Sequence, residues 1–302
     1  MKAVRIYEKG AIDNIKIEDI PKPTITPNQV LVKVKACGIN PVDWKSTIHG
    51  YFEMPYTVGT DIAGIIEAVG TDVHDYKVGD AVIGSLEWAK QGAFAEYVAT
   101  ETKYIALKPK NLNFQEAAAV PLAALTAWQG LFDKLSLKKG HKILIQAAAG
   151  GVGLFAVQYA KWTGAFVVGV ASPKNEAFLK SVEVDAIIDY KTADFSKITA
   201  DFDAVFDSMA SSELTIPLLK KGGNYVSITA KPSEELAQKH GVTATNFLFH
   251  SDAEQLKTIA YLIEQGHVKV FIDKQFPLSE AKDALAYQHQ GHSKGKNILI
   301  VD

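Results

Sequence analysis

Cysteine is nearly absent: Cys37 is the single one among 302 residues, so no intrachain disulfide can form, which fits a reducing cytoplasm. Long apolar runs are missing too. The longest candidate, 143–160, is broken by Gln146, Gln158 and three glycines, and reads as strand, turn and helix rather than a membrane span. The opening MKAVRIYEKG lacks the apolar core of a signal peptide. Neither sign of charge dominates. With 32 basic against 34 acidic residues, the net charge of −2 argues against nucleic acid or an anionic membrane as partner. No internal repeat or low-complexity segment is visible. The eight histidines are scattered, and His289 and His292, three apart with no cysteine or evident carboxylate beside them, read as a solvated helix end.

What is present begins with AAAGGVGLFA at 147–156. Upstream, HKILIQ (141–146) reads as a short buried strand, although its periodicity alone also allows a helix. Downstream, Val152, Phe155, Ala156, Tyr159 and Ala160 form one apolar helical stripe. The glycines therefore lie in a strand-to-helix turn. Gly151, Gly153 and Ala156 fit the pattern G-x-G-x-x-G/A, in which bare backbone approaches a pyrophosphate held at the helix N-terminus.

A glycine turn between a strand and a helix is weak by itself, and the remaining chain strengthens it. AFVVGVA (165–171), AIID (186–189), FDAVFD (202–207), GNYVSIT (223–229) and TATNFLF (243–249) are strand-like, and helical or polar stretches separate most of them. That alternation predicts a doubly wound parallel sheet of six strands, an α/β fold. The first 120 residues differ. QVLVKVKACGI, GIIEAVG, DAVIG and FAEYVAT are short strands divided by Gly, Asp and Pro, after a proline-punctuated loop at 21–29, and they predict a β-rich, barrel-like unit. The final KNILIVD is a further strand placed to return to that first unit. A chain of this size has room for two domains.

Several blocks, taken in order, carry a resemblance. KACGINPVDWK, VGTDIAGIIEAVG, VGDAVIG, GAFAEYV, AAAVPLAALTAWQGL, AAAGGVGLFAVQYAK, AIIDY and GKNILIV resemble the zinc-independent quinone oxidoreductases of the medium-chain dehydrogenase/reductase superfamily. NPVDxK and GTDIAG are most similar to the branch of enone and alkenal/one reductases. The resemblance implies a GroES-like catalytic domain of residues 1–121 with 271–302, a Rossmann domain of 122–270, NADPH in the cleft, and a homodimer. Zinc-dependent members carry metal ligands at positions that here are Asn40, Thr60 and Leu122, none of which suits zinc in that setting.

The resemblance also carries over site residues. Asn40 is placed near the nicotinamide, against its alternative as a turn residue before Pro41. Lys45 anchors the nicotinamide ribose or a substrate oxygen, or is a plain surface lysine. Asp43 is assigned to ordering its loop. Tyr51 and Tyr56 fall among substrate-pocket aromatics, with a phenol able to protonate an enolate, or pack against a turn. Thr126 lies beside the nicotinamide. Ala149, Gly150, Gly151, Val152 and Gly153 make the glycine turn, and Lys296 and Asn297 complete the cofactor set. Cys37, with no base beside it in sequence, reads as a small buried residue.

Cofactor choice rests on VASPKNEA (170–177). An acidic residue about twenty positions beyond the glycine turn would hold the ribose of NAD. Ser172 stands there instead, and Ser172, Lys174 and Tyr190 match the family's 2′-phosphate residues. The expected protein is a zinc-free NADPH reductase of quinones or α,β-unsaturated carbonyls. Two rivals are an enoyl-thioester reductase, which needs basic contacts for a carrier's phosphates, and an NADPH-binding structural or RNA-binding protein, which the balanced charge disfavours.

Overall fold

The structure is a computed structural model in which residues 1–87, 92–291 and 293–301 are described. His292 lies outside them. The chain divides into two compact units, Met1–Leu125 with His250–Asp302, and Thr126–Phe249.

The first unit opens with strands β1 (Lys2–Ile6), β2 (Ile15–Asp19) and β3 (Gln29–Ile39), then helix α1 (Pro41–His49). Pro41 starts that helix where its missing N–H costs nothing, and Gly50, at φ +70°, ends it. Strands β4 (Tyr56–Thr57), β5 (Asp61–Val69), β6 (Ala81–Ser85), β7 (Tyr97–Glu101) and β8 (Ile105–Leu107) follow. Next come helices α2 (Phe114–Ala118) and α3 (Pro121–Trp128).

In the second unit β9 (Lys142–Ile145) leads into α4 (Gly151–Thr163), and β10 (Phe166–Ala171) into α5 (Glu176–Lys180). Strands β11 (Ala186–Asp189) and β12 (Phe202–Asp207), helix α6 (Ser212–Thr215), strand β13 (Leu219–Ser227), helix α7 (Glu234–His240) and strand β14 (Thr243–Asn246) complete it. All neighbours are parallel, in the order β11-β10-β9-β12-β13-β14. Numbered within the unit this is 3-2-1-4-5-6, the order of the doubly wound dinucleotide fold, and the six parallel strands are those predicted above. The strand at 243–249 is shorter than expected, ending at Asn246 with Leu248 exposed.

The chain then returns through α8 (Ala253–Glu264), β15 (Ile272–Pro277), α9 (Ala281–His289) and β16 (Lys296–Ile300). Antiparallel pairing of β16 with β3 places KNILI in the first unit's main sheet, ordered β15-β16-β3-β5-β6-β8. The boundary expected near 270 falls at 250. Residues 250–264 bond to the first unit: Ser251 Oγ donates to the Leu86 carbonyl at 3.3 Å, Asn111 Nδ2 to the Ile263 carbonyl at 3.0 Å, and Lys110 N–H to Glu264 at 2.8 Å. An amphipathic helix shows in sequence that one face is covered, not by which unit. No helix among the described residues is long and apolar enough to cross a membrane.

The glycine turn is the tightest spot in the second unit. Ala147 adopts φ +48°, and a Cβ on Gly153 would stand 2.2 Å from the Ala147 carbonyl oxygen and 2.9 Å from Ala148 Cα. Only glycine lets α4 start this close to the end of β9. Gly153→Ala is expected to destabilise the protein by about 1–3 kcal/mol, read from the urea unfolding midpoint. An unchanged midpoint would show that the Ala147–Ala148 turn yields freely.

Candidate functional site

In the second unit the sequence-predicted cofactor residues gather at the C-terminal ends of the parallel strands, where a doubly wound sheet binds its ligand. After β9, residues 147–150 lead into α4, whose first N–H groups, from Gly151, Val152 and Gly153, have no acceptor within the helix and lie at its positive dipole end. After β10, Ser172 is buried, and its Oγ has no hydrogen-bond partner among the described residues. Lys174 is exposed one residue beyond Pro173. After β11, Tyr190 stands 55% exposed, and register pairs Ala171 with Asp189, so Ser172 and Tyr190 leave neighbouring strand ends together. Asp189 is occupied locally, accepting from Lys191 N–H and Thr192 Oγ1, each at 3.0 Å. A bare backbone turn, a buried hydroxyl with no partner among the described residues and an exposed lysine fit the pyrophosphate and 2′-phosphate of a dinucleotide. Thr126 is buried on α3.

Sequence reasoning missed Asp207. It ends β12 and accepts from Met209 and Ser211 N–H, both at 2.6 Å, and from the Tyr225 hydroxyl. These bonds shape the loop in which Ala210 takes φ +56°. The signal was the acid ending the otherwise apolar FDAVFD.

In the first unit the three positions equated with zinc ligands do come together, around a residue the sequence reading left aside. Asp61 is fully buried. Its carboxylate accepts from Asn40 Nδ2 at 2.9 Å and from Leu122 N–H at 3.1 and 3.2 Å. Asn40 Nδ2 also donates to Thr60 Oγ1 at 3.2 Å. From the other side Lys296 Nζ donates to the Ile39 carbonyl at 2.8 Å and to Asn40 Oδ1, and stands 4.0 Å from Asp61. Asn40 is thus both the residue before α1 and the hub of a buried network, its two amide hydrogens already engaged. Lys296 and Asn297 were carried over as cofactor contacts, and both have partners within the first unit. Lys296 commits its ammonium to that network, and Asn297 donates to Gln288 Oε1 at 2.7 Å and Ser293 Oγ at 2.8 Å, bracing the turn before β16. Burial favours such partners, although Asn297 Oδ1 has none among the described residues.

The other candidates separate by exposure. Tyr51 is 53% exposed and stacks on His49. Tyr56 is buried in the core, edge-on to Phe52 at 5.4 Å, and burial pushes its phenol up to about 12. Lys45 is half-buried, its ammonium 5.6 Å from the Trp44 ring centre. His289 is exposed at the end of α9, the solvated helix end expected, its ring centre 4.2 Å from that of Trp44 and tilted by 38°. Cys37 is buried and donates to the Ala93 carbonyl at 2.9 Å, and burial holds its thiol far above the ordinary range, the small interior residue expected.

Asp43 orders its loop, as expected, by accepting from Asn40 N–H at 2.7 Å, while its Oδ1 has no partner among the described residues. Burial raises its carboxyl to about 8, with the Asp61 charge adding to the rise and the Asn40 N–H and Lys296 opposing it. Burial likewise raises Asp61 and lowers Lys296. For Asp43 the folded state holds a proton that the unfolded chain has released between about pH 4 and about pH 8, so this group's contribution falls as pH rises through that window. Asp43→Asn keeps an acceptor for Asn40 N–H and does not titrate. Its melting temperature should vary less from about pH 5 to about pH 8 than that of the parent. A variant as steep as the parent would assign the slope to other groups.

Comparison with known proteins agrees with this architecture. Residues 26–110 match the family model of the alcohol dehydrogenase GroES-like domain, and 182–299 that of the zinc-binding dehydrogenases. The chain is 38% identical to the 2-methylene-furan-3-one reductase of Solanum lycopersicum, across 99% of this chain and 79% of that protein. It is 36% identical, with the same coverage, to the chloroplastic NADPH-dependent alkenal/one oxidoreductase of Arabidopsis thaliana. The solved quinone oxidoreductase from Coxiella burnetii superposes with a TM-score of 0.94 at 33% identity, covering 100% of this chain and 99% of that one. The chain belongs to the quinone and alkenal/one oxidoreductase branch of the medium-chain dehydrogenase/reductase superfamily.

Proposed function

We propose that this protein is an NADPH-dependent, zinc-free reductase that delivers hydride to a quinone or to the β-carbon of an α,β-unsaturated carbonyl. The observation that carries the reading is the meeting of Asn40, Thr60 and Leu122 around Asp61, a cluster with the place of a zinc site and none of its chemistry. An amide whose hydrogens are spent, a hydroxyl and a hydrocarbon do not make a zinc site, and Lys296 already supplies the positive charge there. Zinc therefore does not fit these residues.

NADPH fits the second unit and, when bound, supplies the hydride. Its pyrophosphate would rest on Gly151–Gly153 and its 2′-phosphate on Ser172, Lys174 and Tyr190. In the first unit Lys45 offers an ammonium to a ribose or substrate oxygen. The phenol of Tyr51 would give an enolate its proton, with water as the other source; its exposure, against the burial of Tyr56, supports this choice. Asn40 shapes the site through a fixed amide instead of donating to substrate. Alignment of donor and acceptor then does most of the catalytic work, roughly 7–11 kcal/mol at best. Names of relatives support both acceptor classes, enones and quinones. A cytoplasmic location and a homodimer complete the reading, the first supported by the lone buried thiol and the second by the family resemblance.

Lys174→Ala removes a charge-assisted hydrogen bond of about 1.5–3 kcal/mol, so NADPH should bind about ten-fold more weakly or worse while NADH is nearly unaffected. Equal binding of both cofactors to the parent, by calorimetry, would reassign the loop. Ketone reduction localises charge on an alkoxide, whereas conjugate or quinone reduction spreads it, so a site without metal should favour the latter. We expect turnover of an enone with NADPH that survives chelation, and negligible turnover of its saturated ketone. Comparable rates on both, or activity lost together with a stoichiometric zinc, would sink the mechanism.

A further inference from the structure

Asp61 opens β5 where four strands reach one level. Register sets it opposite Gly38 of β3 and Ser85 of β6, and Gly38 lies opposite Ile298 of β16, two residues from Lys296. Room for the carboxylate is built in. A Cβ on Gly38 would come 3.2 Å from Asp61 Oδ2 and 2.3 Å from the Ala118 carbonyl oxygen. A fully buried carboxylate is costly unless its charge is used, and here it joins segments far apart in the chain: the entry to α1, the first turn of α3, and β16.

The Asn40 amide is strung between opposite charges. Its oxygen faces the Lys296 ammonium and its nitrogen faces three oxygens, those of Asp61 at 2.9 Å, Thr60 at 3.2 Å and, at 3.5 Å, the Gly38 carbonyl. Turned by half a revolution, the amide would set oxygen against carboxylate and N–H against ammonium. In a dry interior that reversal is strongly opposed, because both bonds in the correct sense are charge-assisted.

We propose that Asp61 is a positioning residue for hydride transfer: with Lys296 as counter-charge, it locks the Asn40 amide in one orientation and so fixes the wall of the site that Asn40 forms. This rests on the reading of Asn40 as a residue beside the nicotinamide. Asp61→Asn preserves shape while removing the charge that selects the orientation.

Two readouts test it, one independent of activity. In protein labelled with ¹⁵N-asparagine, the Asn40 side-chain amide is identified by its loss in Asn40→Ala. It should exchange with solvent slowly in the parent and many times faster in Asp61→Asn. With NADPH and an enone at saturation, Asp61→Asn should lower kcat by about ten- to a hundred-fold, with a smaller change in KM. The double variant Asn40→Ala/Asp61→Asn should be no slower than Asn40→Ala alone, since Asp61 acts through Asn40. Multiplied losses in the double variant, or an Asn40 amide that exchanges as slowly in Asp61→Asn as in the parent, overturn the proposal. Lys296→Met removes the other end of the lock and gives both readouts if Asp61→Asn does not fold. A parent that reduces neither enone nor quinone refutes the proposed reaction, and the exchange measurement then decides the role of Asp61 by itself.

Discussion

A carboxylate and an ammonium buried together, with an asparagine amide between them, constrain the first unit more than any apolar contact does. Apolar side chains tolerate small shifts, but Asp61 and Lys296 do not, since either one left alone is a desolvated charge costing about 3–5 kcal/mol. The strands that carry them must therefore end in register: β16 beside β3, β3 beside β5, β5 beside β6. The C-terminal return of the chain follows from this. Replacement of a buried pair by well-packed hydrocarbon is often neutral for stability, so its worth lies in the single arrangement it selects.

The second unit is held to its function by a steric constraint. Gly153 lets α4 begin against the Ala147 carbonyl, and Gly169 of β10, whose Cβ would come 2.9 Å from Ala148 Cβ, lets the same turn lie flat on the neighbouring strand. Bare backbone on both sides leaves the helix N-terminus open to an anion. Ser172, buried with an unused hydroxyl at the next strand end, extends the polar rim outward. Packing and binding are one requirement here, which is why the segment contains almost nothing larger than alanine.

Those features were legible in sequence because they are local. A buried parallel strand is a short apolar run, and a turn that must admit a phosphate is a run of glycine, so the strands after 141 and the turn at 147–153 could be read directly. Asn40, Thr60 and Leu122 were legible as one site only through the order of the blocks that resemble the family; in the structure Asn40 and the Leu122 N–H both bond Asp61, and Asn40 also bonds Thr60. What stayed hidden depends on distance. Nothing near Asp61 announces that its counter-charge sits at Lys296, or that Lys296 serves Asn40. Ala147 gives no sign of its positive φ, since alanine adopts it only because the strand and helix on either side compel it. Tyr51 and Tyr56 look alike in sequence and differ in burial, the first exposed and the second packed in the core.

The proposed reaction asks little of acid, base or metal and much of geometry. A hydride acceptor that spreads its own developing charge needs only to be held near the donor, with an exposed phenol or water to finish. The most direct test is where the hydride goes. With NADPH deuterated at the transferable C4 position and a simple enone, the account predicts deuterium on the β-carbon of a saturated ketone product. Deuterium on the carbinol carbon of an allylic alcohol would contradict it.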